Sequence, residues 1–97
     1  MTSERTIEYL AECFWPGVQD GDLLLLDNRV HAAVADLSGS GEQIRYLGSM
    51  LMRADEVVLC LFEGAEQTVR EVAERAQVPF ERILEAARSP WPNPVNP

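Results

Sequence analysis

"VVLCLF", residues 57 to 62, decides the fold. Successive side chains of a strand point to opposite faces of its sheet. Val57, Leu59 and Leu61 therefore share one face, and Val58, Cys60 and Phe62 share the other. Both sets are apolar. A strand with one wet face alternates apolar with polar; a strand apolar on both faces reads as central and covered on both sides.

The segments around it take their places from this one. "QIRYLGSMLM", residues 43 to 52, reads as a strand with Ile44, Tyr46, Gly48 and Met50 on one face and Arg45, Leu47, Ser49 and Leu51 on the other. The short polar "RADE" joins it to residue 57, and so short a link predicts an antiparallel hairpin. Further upstream, "TIEYLAECF", residues 6 to 14, alternates Ile7, Tyr9, Ala11 and Cys13 against Glu8, Leu10, Glu12 and Phe14. Pro16 cannot donate to a ladder and Gly17 relaxes the backbone, so this strand ends at "WPG".

Two stretches carry the period of a helix. Leu23, Leu26, Val30, Val34 and Leu37 recur at three- and four-residue steps, with Asp20 or Asp22 as the cap and "SGSGE" as the stop. Residues 63 to 79 form a second helix between Gly64 and Pro79, with Ala65, Val69, Val72 and Ala76 as its buried stripe. Arg70 with Glu74, and Glu71 with Arg75, sit four apart and can pair on its wet side. Residues 80 to 88 mix strand position with helix composition; a turn over 80 to 82 and then a strand is the expectation.

The order strand, helix, strand, strand, helix, strand is the split βαβ pattern of the α+β ferredoxin-like fold. It predicts a four-stranded antiparallel sheet with both helices on one face and the first and third strands in the middle. Residues 1–88 form this single domain. The tail "SPWPNPVNP", residues 89–97, has four prolines in nine positions and is expected to be extended or disordered.

Charge and composition exclude several functions. The chain has 16 acidic and 8 basic side chains, a net charge of -8, and all its basic residues are dispersed arginines. Binding to nucleic acid or to anionic lipid needs clustered cations, so neither is expected. No apolar run approaches the ~18 residues of a membrane span. The first residues lack a basic stretch followed by an apolar one, so no secretory signal is read. With two cysteines in apolar stretches, outside zinc-type spacing, the expected setting is the reducing cytoplasm.

The sheet poses the functional question. Two helices cover one face, yet residues 57–62 need cover on both. The second face mixes Glu8, Glu12, Arg45 and Ser49 with Leu10, Phe14, Leu47 and Leu51. Such a face suits a homodimer interface or a partly wet ligand pocket.

"IRYLGSMLM", "VVLCLFEG" and "VREVAERAQVPFERILE" resemble a family of small bacterial ferredoxin-like proteins catalogued as a domain of unknown function. The shared pattern is carried by Cys60, Leu61, Glu63 and Gly64, then Glu74, Arg75 and Ala76, then Pro79, and it covers most of residues 6 to 87. The best-described members are nickel-binding homodimers, so the resemblance implies the fold, a dimer and a transition metal such as nickel. Those members carry histidines near the end of the first strand, in the first helix and around the second. Here His31 alone matches; Cys13 or Phe14 stands at the strand end, and Ala73 and Val78 fill the second-helix positions.

The candidate residues follow. Glu12, Trp15, Tyr46 and Glu63 are assigned to a ligand, and His31 and Cys13 to a metal. Each has a plainer reading. His31, one step past the core stripe, is a rim histidine. Cys13 and Cys60 are small core hydrophobes. Glu63 starts the second helix. Glu8 and Glu12 pair across strands with Arg45. Trp15 clasps the "WPG" turn. The expectation is a small homodimeric protein that binds a small molecule or a metal ion. Its alternative is a small dimeric αβ-barrel enzyme, a cofactor-free oxygenase or cyclase acting on an aromatic or polyketide substrate.

Overall fold

A computed structural model describes residues 7–87. The elements are β1 (Glu8–Phe14), α1 (Asp20–Gly39), β2 (Ile44–Met52), β3 (Val57–Gly64), α2 (Glu66–Arg75) and β4 (Arg82–Ala86). The strands form one sheet in the order β2-β3-β1-β4, with every neighbouring pair antiparallel. This is the ferredoxin-like arrangement, with β3 and β1 in the centre. The expectation for the Pro-rich tail lies outside the described residues.

The core lies between the sheet and the two helices. Ala11 and Cys13 of β1 and Val58, Cys60 and Phe62 of β3 are fully buried beneath Leu26 and Val30 of α1 and Val69, Val72 and Ala73 of α2. The helix stripes follow from their 3.6-residue period. The start of α1 is held by Asp22, whose carboxylate accepts the Gln19 N–H at 2.8 Å. Arg29 of α1 donates to the carbonyl of Ala76 at 2.8 Å, which caps the exit of α2 and ties the helices together. On the wet side of α2, Glu71 pairs with Arg75 as expected, while Arg70 turns back to Glu66.

β1 ends where its sequence says it must. The Trp15 N–H donates to the Glu56 carbonyl at 2.8 Å, and the Gly17 N–H to the Glu56 carboxylate at 2.9 Å. Trp15 is half-buried and packs against the core.

Two expectations need correction. The second helix begins at Glu66, because Glu63 and Gly64 still pair with β2 and β1. Glu63 is thus the last charged position of a strand. In β2, strict alternation fails. Tyr46 pairs with Phe62 and Gly48 with Leu61, which leaves Leu47 as an extra residue in a bulge. Beyond it the faces swap: Ser49 and Leu51 turn toward the helices, while Met50 and Met52 turn away. Gly48 supplies the backbone freedom, at φ +128°.

Gly64 also carries a structural demand. Its φ is +154°, and a Cβ there would lie 2.9 Å from the Gln43 carbonyl oxygen. Gly64→Ala is expected to lower stability by about 1–3 kcal/mol, read as a drop in the urea midpoint with an unchanged slope.

Candidate functional site

The sheet face away from the helices is a grid of side chains fixed by the strand register. Met52, Val57 and Phe14 form one row, and Met50, Leu59, Glu12 and Arg82 the next. Gly48, Leu61, Leu10 and Leu84 form the third, and Arg45, Glu63, Glu8 and Ala86 the last. Most of the grid is apolar. Phe14 is 52% exposed, Met50 59% and Met52 41%, and Leu10, Leu59, Leu61 and Leu84 are half-buried.

Charge enters this face in two places: the last row, and a pair that runs from the edge strand β4 to Glu12 of central β1 in the second row. Arg45 donates to Glu63 at 2.9 Å across β2 and β3. Arg82 donates to Glu12 at 2.5 Å across β4 and β1. The expected partner of Glu12 was Arg45; β4 supplies Arg82 instead, because β4 lies beside β1 and β2 does not. Beside Glu63 and Arg45, at the end of the sheet, a cavity of about 750 Å³ is walled by Ile44, Gly64, Glu42 and Thr68 among others. Thr68 is held there by a 3.2 Å hydrogen bond to Glu42.

The remaining candidates lie on the helix side. Cys13 and Cys60 are both fully buried and free. Ala11 is opposite Cys60 and Cys13 is opposite Val58, so the two thiols are diagonal neighbours on the covered face. The neighbouring Cys60 thiol and then burial push the Cys13 thiol far above its ordinary range. The Cys60 thiol shifts down, chiefly through its contact with Cys13, and burial opposes that shift.

Tyr46 links this pair to α1. Its hydroxyl donates to Asp27 at 2.5 Å, and the Ser49 hydroxyl donates to the same Asp27 oxygen at 3.0 Å. The His31 ring meets Tyr46 edge-on, with centroids 5.2 Å apart, and His31 itself is exposed. The sequence assigns four of these residues to a ligand and two to a metal; the fold divides them. Glu12 and Glu63 belong to the open face, Cys13, Tyr46 and His31 to the helix side, and Trp15 to the turn after β1. Among the described residues, no three or more His, Cys, Asp and Glu side chains come together as a possible metal site.

Asp27 and Arg82 were missed by the sequence reading. Asp27 precedes His31 by one helical turn, a spacing that places both toward the same strand. Arg82 gives no such signal, because its partner is set by which strand lies next to β4.

Burial, the neighbouring Cys60 thiol and the hydrogen bond to Asp27 raise the Tyr46 phenol above its ordinary 10.0, with Ser49 opposing them. The native state thus holds this proton more tightly than the unfolded chain. That contribution to stability is full below about pH 10 and is lost as the pH rises through the native pKa. Tyr46→Phe is expected to cost about 1.5–3 kcal/mol at pH 7, the range for a hydrogen bond to a charged group. The gap from the parent protein should narrow above pH 10, as read by urea unfolding across the series.

The comparisons with known proteins agree with this geometry. The crystal structure of SCO4226 from Streptomyces coelicolor A3(2) superposes with a TM-score of 0.69 at 21% identity, covering 86% of this chain and 99% of that one. At that identity the likeness shows the fold. No curated protein matches the chain with significance. A family model described as "Nickel responsive protein SCO4226-like" matches residues 20–86. The chain belongs to the SCO4226-like family.

Proposed function

We propose that the protein is a small homodimer, joined sheet to sheet, that holds a small molecule against the open face of the sheet. The observation that carries this reading is the apolar grid on β1, β2, β3 and β4. Phe14, Met50 and Met52 stand largely in water beside four half-buried leucines. Covering a large apolar side chain fully is worth about 1.5–3 kcal/mol. A row of them on one flat surface is a patch that monomers rarely leave bare. The layout also has the mixed character of an interface, a mainly apolar face carrying the Arg45–Glu63 and Arg82–Glu12 ion pairs.

Packed sheets lie about 10 Å apart, a gap that side chains fill. Over Gly48, which has no side chain, the filling is thin, so an apolar ligand has room there. Glu12 with Arg82, and Arg45 with Glu63, would meet its polar ends. The two methionines suit such a place, because a thioether chain adapts to varied shapes.

The family's description favours a second occupant, a metal ion, with nickel the first to test. His31 and Cys13 are the donors assigned to it. Their positions, one exposed on α1 and one sealed in the core, make it the weaker reading. The enzyme alternative is weaker, since His31 is exposed and Glu63, which lines the cavity at the end of the sheet, is engaged by Arg45.

Size-exclusion chromatography with light scattering at micromolar concentration is expected to give twice the 10.8 kDa of one chain. Met50→Glu, at an exposed position that leaves the core intact, is expected to give a folded single chain. A parent protein that runs as one chain removes the dimer, and the proposed pocket with it.

A further inference from the structure

We infer that this member of a nickel responsive family has no nickel site, either within one subunit or across the proposed dimer. Nickel sites in proteins draw on imidazole and thiolate, with about four to six donors converging on one point. The whole sequence holds one histidine and two cysteines. All three fall among the described residues, so residues 1–6 and 88–97 add no donor of either kind.

The fold keeps the three apart in kind. His31 is exposed on α1, whereas Cys13 and Cys60 are 0% exposed beneath both helices. A thiol must lose its proton to bind a metal, and its site must admit the ion. Neither thiol is reached from water. The nearest alternative set is His31 with Asp27, one helical turn earlier. It offers two donors, and one Asp27 oxygen already accepts from both Tyr46 and Ser49.

A dimer does not supply the deficit if it forms as proposed above, and in this respect the inference rests on that reading. Joined through the open faces, the two subunits carry α1 on opposite outer surfaces. The two His31 side chains then do not meet.

Titration calorimetry of the full, tag-free chain with nickel chloride is the test, run beside light scattering. The expected result is no saturable heat at micromolar protein and an unmoved thermal midpoint in excess nickel. Saturable binding at one nickel per subunit overturns the inference and leaves the sheet-to-sheet dimer standing, whether or not His31→Ala abolishes it. Binding at one nickel per two subunits, lost in His31→Ala and retained in Met50→Glu, overturns both, because it requires the α1 surfaces to meet.

Discussion

Everything in this molecule depends on β3 being apolar on both faces while the helices supply cover for only one. Val58, Cys60 and Phe62 find that cover and are sealed, with no water contact at all. Leu59 and Leu61, on the same strand and of the same character, are half-buried. The difference lies in topology rather than in residue type. Both crossover helices return to one side of the sheet, as the right-handed connections of this fold require. The apolar far side of β3 is therefore left for something else to cover, and the neighbouring strands are built to match it.

The bulge in β2 makes the match. Without Leu47 as an extra residue, Met50 and Met52 would point at the helices, and Ser49 and Leu51 at the open face. With it, Ser49 reaches Asp27, and the thioethers join Phe14, Leu59 and Leu61. A hydroxyl turned toward the core needs a partner, since burying one without a hydrogen bond costs about 1–3 kcal/mol in proteins. Asp27 is that partner, and the same carboxylate oxygen accepts from Tyr46. One local irregularity thus satisfies a polar cluster on one face and completes an apolar grid on the other.

The same bulge marks where the sequence stopped being legible. Alternation in β1 and β3 reads correctly because period two is enforced wherever one face is buried. The helices read correctly because their stripes must meet that face. An inserted residue breaks the count, and only its glycine hints at it; Gly48 inside a strand pattern is the signal that warrants a bulge. The site was less legible than the fold for a related reason. Glu12 and Arg82 are seventy positions apart, and nothing local announces that β4 docks on β1. Glu63 looked like a helix start because Gly64 follows it, yet that glycine serves a strand end passing close to Gln43. The helix-side cluster of Tyr46, Asp27 and His31 crosses from β2 to α1, so the sequence marks Tyr46 and His31 separately and does not announce the Asp27 that joins them.

Family membership bears on these parts unequally. The positions that fix the fold are the alternate residues facing the helices and the helix stripes facing them. They need only be apolar and of suitable volume, which is why a chain 21% identical can still superpose at a TM-score of 0.69. A metal site makes the opposite demand: particular donor atoms at particular places, where one replacement removes a ligand. Core packing places no restraint on the outer surface of α1 or on the open face of the sheet. The shared fold therefore carries the scaffold from one member to another and leaves the bound group to be decided by each chain's own side chains. In this chain those side chains are predominantly apolar on the open face, interrupted by the Arg45–Glu63 and Arg82–Glu12 pairs, and its soft donors are buried or alone.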